Sequence, residues 1–136
     1  MQLLTFVMNA PLLLDAVRAI TQQDSVALFS GRIYRFDPRV AHHDSWHDDT
    51  AAGGRLAGFS LNLGDSFEGG EFEIRDKSMA SPSITIANTG PGDAILFRVA
   101  PTHEHRVRSV RGLQPKTAMA GWFVSGSTYW DEVLPR

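Results

Sequence analysis

The chain contains no cysteine, which excludes disulfides, thiolate metal sites and cysteine nucleophiles. It also lacks an excess of charge: a formal net charge of −2 over 136 residues gives no global attraction to nucleic acid or to a membrane surface. No apolar run approaches the roughly 20 residues needed to cross a bilayer. The apolar opening, "MQLLTFVMNAPLLLDAV", has no basic n-region and is interrupted by Asn9, Pro11 and Asp15, so it does not read as a signal peptide. A cytoplasmic protein is the expectation. Repeats, low-complexity tracts and linkers are missing too, so residues 1–136 are read as a single domain. The length supports a core without staples, and 43% hydrophobic with 21% charged residues is the composition of a globular protein.

One helix and a series of strands fill that domain. In "PLLLDAVRAITQQD" the residues Leu13, Ala16, Val17 and Ile20 follow the i, i+3, i+4, i+7 spacing and Pro11 suits a first turn, predicting a helix over about residues 11–23. From Ser25 the hydrophobic period changes to two, and a β-core is expected over about residues 25–125. "SVALFSGRIYRF" reads as a strand, or a bent strand pair around Gly31. "RLAGFSLNL" sets Ala57, Phe59, Leu61 and Leu63 on one face against Ser60 and Asn62, and "EFEIR" alternates Phe72 and Ile74 with Glu71, Glu73 and Arg75. Further strands are expected at "SITIA", "DAILFRV", "HRVRSV" and "TAMAGWFV", separated by turn material such as "GDSFEGG" and "NTGPGD". Gly69 and Gly70 read as a hairpin turn. About seven or eight short strands with one flanking helix make a mainly β chain of the two-sheet jelly-roll type.

The stretch "AHHDSWHDDT" concentrates three of the chain's five histidines beside three aspartates. His47 and Asp49 form an H-x-D pair, and in an extended segment residues two apart point the same way. His42 and Asp44 form a second such pair. A third ligand can come from "PTHEHRVRSV", which offers His103 and His105. Two histidines and one carboxylate leave coordination positions open, an arrangement that suits non-haem Fe(II).

These residues, with "GFSLNLG", "FEGGEFEIRD", "NTGPGDAILF" and "HRVRSVRGLQPKTAMAGWF", resemble the 2-oxoglutarate- and Fe(II)-dependent oxygenases, close to the prolyl-hydroxylase-like branch. The resemblance spans about residues 33–124, with the elements in the family's order. It implies a double-stranded β-helix with Fe(II) held by His47, Asp49 and His105, and 2-oxoglutarate and O2 as cosubstrates. It also implies hydroxylation of an unactivated C–H bond, with release of succinate and CO2. The spacing to "GFSLNLG" favours His47 and Asp49, with His42 and Asp44 as the alternative register. His105 is preferred to His103 because the family's histidine is followed by "RV". The family usually places an arginine six positions before the tryptophan of "GWF" to hold the far carboxylate of 2-oxoglutarate. Here that position is Lys116, a point charge without the planar fork of arginine. Ala118 stands where a serine is common, leaving Thr117 or Tyr34 to supply the accompanying hydroxyl. Arg106, Arg108 and Arg111 are rivals for the anchor, or a solvent-facing stripe.

Two other classes stay open. One is a non-catalytic jelly-roll binding module, and the other a zinc-dependent hydrolase using the same His-Asp-His set with Asp44 or Asp48 as base. Trp46 and Trp122 read as core or wall. With so little chain outside the helix and β-core, an open mouth is expected. It would admit a peptide, a protein side chain or a biosynthetic intermediate more readily than a small free metabolite, unless a homodimer partner supplies the missing wall.

Overall fold

The computed structural model describes residues 2–79 and 84–133. Helices α1 (Gln2–Met8) and α2 (Pro11–Thr21) lead into β1 (Leu28–Phe36), and a 3-10 turn over Pro38–Val40 precedes β2 (Asp44–His47). Then follow β3 (Arg55–Asn62), β4 (Glu68–Gly69), β5 (Phe72–Asp76), β6 (Ile84–Ile86), β7 (Ala94–Arg98), β8 (His103–Val107), β9 (Val110–Arg111) and β10 (Lys116–Val124). A short α3 (Tyr129–Val133) comes last. All strand pairings are antiparallel. They form a major sheet β1-β10-β3-β7, a minor sheet β2-β8-β5-β6 and a two-stranded β4-β9 ribbon, the jelly-roll architecture expected from the strand pattern.

Two cores follow from the two faces of the major sheet. Its outer face carries Phe29, Ala57, Met119 and Phe123, packed against Met8, Leu14 and Val17 of the helical layer. Between the sheets lies a second cluster of Phe72, Ile95 and Val107, joined by Phe36, Ile74 and Phe97. The wall between them is β10, whose residues alternate between the helical core and the inter-sheet space.

Several local expectations are revised. Helix α2 buries Leu14, Val17 and Thr21, whereas Ile20 is 71% exposed. The run Leu12-Leu13-Leu14 supports either stripe, and Thr21 can be buried because its hydroxyl donates to the Val17 carbonyl at 2.7 Å. β1 runs unbroken through Gly31, which faces Gly121 across the sheet. A side chain at Gly121 would meet the Ser30 carbonyl oxygen at 2.2 Å, so this pair of glycines permits a backbone approach that makes a bend unnecessary. The polar face of β3 looks into the molecule, and Asn62 is buried. Glu73 is buried as well, because Arg106 donates to it at 2.5 Å. Strand β6 begins at Ile84, and Ser83 of the "SITIA" segment lies outside the described residues. Helices α1 and α3 escaped the periodicity reading, being one or two turns long. Phe6 ties them together by edge-on contacts with Tyr129 and Trp130.

Asn9, buried at the junction of the two N-terminal helices, holds them to β1: its Nδ2 donates to the Phe29 carbonyl at 3.1 Å, and the Phe29 N–H donates to its Oδ1 at 2.7 Å. Asn9→Leu leaves both backbone groups buried without partners, so urea unfolding should show a loss of about 3 kcal/mol. A loss below about 1 kcal/mol would mean that packing alone holds the helical layer.

Candidate active site

The β2–β8 pairing sets the centre of the site. His47 stands opposite His105 in that register, with the two rings 4.3 Å apart. β2 ends at His47, so Asp49 reaches the histidines by a turn and not by strand alternation. Its φ of 62° is the left-handed conformation that aspartate tolerates better than most residues. The carboxylate then splits between its neighbours: Oδ2 lies 3.2 Å from His105 Nε2 and Oδ1 3.7 Å from His47 Nε2. Ligand bonds of about 2.0–2.2 Å to a shared ion would set adjacent donors about 3 Å apart, so this spacing fits one metal ion. Among the described residues this is the one cluster of histidine, cysteine or acidic side chains compact enough to hold a metal.

The neighbours of these three side chains fix their orientation. His47 Nδ1 is 2.7 Å from the Ser45 carbonyl, which directs Nε2 toward the cluster. His105 is buried between the rings of Phe72 and Phe97. Asp49 accepts from Trp122 Nε1 at 2.8 Å and from Arg55 at 3.1 Å, and the Arg55 guanidinium lies 3.5 Å from the centre of the Trp122 ring. Burial alone would raise the Asp49 carboxyl, but hydrogen bonds from His105 and Trp122 hold it below its ordinary value. It is therefore an ionised donor. Sequence reasoning placed Trp122 in a wall and overlooked Arg55, for which no motif gives a signal.

The alternative ligands lie elsewhere. His42 Nδ1 accepts from the Asp37 N–H at 3.0 Å, and His43 faces the Ala41 carbonyl. His103 sits beside Thr102 at 2.9 Å, and Asp44 lines the cavity without joining the cluster. Asp48 is engaged by Lys77 and Thr50, which hold its carboxyl well below the usual range.

A cavity of about 190 Å³ extends from the cluster between the sheets, and Lys116 lines it together with Tyr34, Phe36, Ser60 and Asn88. Lys116 is 1% exposed, and among the described residues no carboxylate oxygen approaches its Nζ within 4.0 Å. Its contacts are the Gly70 carbonyl at 3.5 Å and the Phe67 ring at 5.4 Å. The expected hairpin at Gly69 and Gly70 does not form, because β4 pairs with β9 while β5 pairs with β6 and β8. Burial pushes the ammonium down to about 8, opposed by the charge of Asp44. The phenol of Tyr34 is pushed up by the same burial, against a pull from Ser60. Thr117 does not join this group. Strand alternation turns it away from Lys116, toward Gly64, so of the two expected hydroxyls Tyr34 is the one on the lysine's face, where Ser60 also lies. Arg106 and Arg108 pair with Glu73 of the minor sheet, and Arg111 of the β4-β9 ribbon pairs with Glu71.

The family model described as the 2OG-Fe(II) oxygenase superfamily matches residues 31–124. The chain belongs to that superfamily. Its members use Fe(II), 2-oxoglutarate and O2, and the His47, Asp49 and His105 cluster fits the iron. Solved structures share the fold. An oxidoreductase of the 2OG-Fe(II) oxygenase family from Burkholderia pseudomallei superposes with a TM-score of 0.74 at 20% identity, over 93% of this chain and 58% of its own. A Pseudomonas putida prolyl-4-hydroxylase gives 0.63 at 18% identity, over 83% and 62%. A prolyl hydroxylase from Trichoplax adhaerens, solved with a hypoxia inducible factor peptide fragment, gives 0.57 at 15% identity, over 73% and 46%. The oxygenase chain thus spans less than two thirds of the length of these structures. No curated protein matches the sequence. Among the described residues no helix is long and apolar enough to cross a membrane.

The buried lysine gives a test that needs no ligand. Its folded value lies below the 10.5 of a free lysine, so the unfolded chain binds more protons between the two and stability rises with pH through that window. From pH 7.5 to 9.5 the wild-type protein should gain about 2 kcal/mol relative to Lys116→Met in denaturant titrations. Parallel pH curves for the two proteins would show that the ammonium is not desolvated.

Proposed function

We propose that this protein is an Fe(II)- and 2-oxoglutarate-dependent dioxygenase that hydroxylates an unactivated C–H bond of a peptide or protein side chain. The observation that carries the reading is the pairing, across one cavity, of a compact His-Asp-His cluster with a buried lysine that forms no ion pair among the described residues. A zinc hydrolase would use the first feature and leave the second without purpose.

In this reading His47, Asp49 and His105 hold the iron, while Lys116 and Tyr34 anchor the far carboxylate of 2-oxoglutarate. When bound, that pair supplies an O2-dependent oxidation with succinate and CO2 as co-products. The chain's own work is positioning and the exclusion of water. Trp122 and Arg55 keep the Asp49 carboxylate aimed, and the Ser45 carbonyl keeps His47 in the tautomer whose Nε2 is free. Phe36, Phe72, Ile95 and Phe97 line the space with apolar surface, which strengthens the attraction between Lys116 and a carboxylate. No side-chain base is required.

The layout of the cavity supports a protruding substrate. The metal ligands and Lys116 line the same cavity, so a five-carbon dicarboxylate held between them would occupy it and the target bond would enter from outside. The rim is open there: Arg32 is exposed at the cavity wall. A related fold solved with a peptide fragment is in keeping with such a substrate.

Anaerobic addition of Fe(II) and then 2-oxoglutarate to the apoprotein should produce the weak visible charge-transfer band of the chelate. Asp49→Ala and His105→Ala should abolish it, and Asp44→Asn should leave it. The opposite pattern would move the iron to His42 and Asp44; iron binding without any band would favour a hydrolase or a binding module. For the substrate class, succinate release is expected with peptide panels. Turnover confined to small free metabolites would sink that part of the proposal.

A further inference from the structure

Asn88 lies between β6 and β7, 2% exposed, and contributes to the wall of the cavity that holds Lys116. Its Nδ2 is fully buried and has no hydrogen-bond partner. A buried amide donor left unmade costs about 1–3 kcal/mol, and native structures rarely keep one without a reason.

The backbone around it is held firmly. Asn62 Nδ2 donates to the Asn88 carbonyl at 2.5 Å and to the Gly90 carbonyl at 3.3 Å, and the Phe67 N–H donates to the Thr89 carbonyl at 3.3 Å. These bonds also locate Asn88 in the cavity. Asn62 stands opposite Ala118, which stands opposite Tyr34, and the Phe67 ring contacts Lys116. Asn88 therefore sits at the lysine end, away from the metal ligands. A donor with no hydrogen-bond partner and an ammonium with no ion pair among the described residues occupy the same end of the same cavity.

We infer that Asn88 is a binding residue for the far carboxylate of the oxo-acid cosubstrate, its Nδ2 donating to an oxygen that Lys116 neutralises. The inference rests on the dioxygenase reading and deepens it, since the segment "NTGPGDAILF" begins at Asn88 but points to no role in binding. Lysine alone fixes a charge but not an orientation; a second, rigid donor supplies the directionality that an arginine fork would otherwise give. The amide selects a carboxylate terminus and leaves the oxo-acid end to the metal.

Equilibrium binding tests this without turnover. Wild-type protein, Asn88→Leu and Asn88→Ser would each be titrated anaerobically, as the Fe(II) form, with 2-oxoglutarate and with 2-oxopentanoate, which carries a methyl group in place of the far carboxylate. Both variants should weaken 2-oxoglutarate roughly tenfold or more and change 2-oxopentanoate by less than about twofold. The Leu variant, which removes an unpartnered polar group, should leave the apoprotein at least as stable as wild type in thermal melts. Equal weakening of both acids, or unchanged 2-oxoglutarate affinity, overturns the assignment of Asn88 while the dioxygenase reading stands. Wild-type protein that binds neither acid overturns that reading and this inference with it.

Discussion

The two-residue period of β10 is the constraint on which the rest of the structure depends. It is the second strand of the major sheet, bonded on both sides, and a slip of one residue would exchange its two faces. In the native register Met119 and Phe123 enter the helical core, while Lys116 and Trp122 enter the cavity. The shifted register would bury an ammonium among the helices and turn two large apolar side chains into a polar space. Hydrophobic burial on one face therefore fixes the position of Lys116 and of the tryptophan that steadies Asp49 on the other. The stability of the fold and the geometry of the site are the same choice of register.

The two ends of the cavity are electrostatically unlike. At the metal end, Asp49 is kept ionised by hydrogen bonds that outweigh its burial. At the other end the burial of Lys116 outweighs the charge of Asp44. A group so incompletely compensated lowers the stability of the free protein, and a ligand carboxylate would restore it. The site thus holds part of its binding energy as strain in solvation, present before any ligand arrives.

Much of this was legible from spacing. Strand alternation and turn residues gave the jelly roll, and the positions of His47, Asp49, His105 and Lys116 within it followed from motif order. What escaped depended on geometry that no short pattern encodes. Asp49 converges through a left-handed turn, and its supporting Arg55 arrives from the start of β3. Thr117 was a candidate because it adjoins Lys116 in sequence, yet adjacency in a strand means opposite faces. Asn88 looks like turn material in "IANTGPG", and only its burial reveals a chemical purpose. Helix α2 was found but rotated, because a run of three leucines satisfies more than one stripe.

The Asn9 contact with Phe29 has a meaning beyond holding the helices. β1 is an edge of the major sheet, with β10 on its one strand-paired side, so its other side would normally present free N–H and C=O groups. Edges of that kind recruit strands from other molecules. The Asn9 carboxamide offers one donor and one acceptor to the same residue, as a neighbouring strand would, and so occupies the edge with a side chain. Strand addition at Phe29, near the beginning of β1, is thereby blocked.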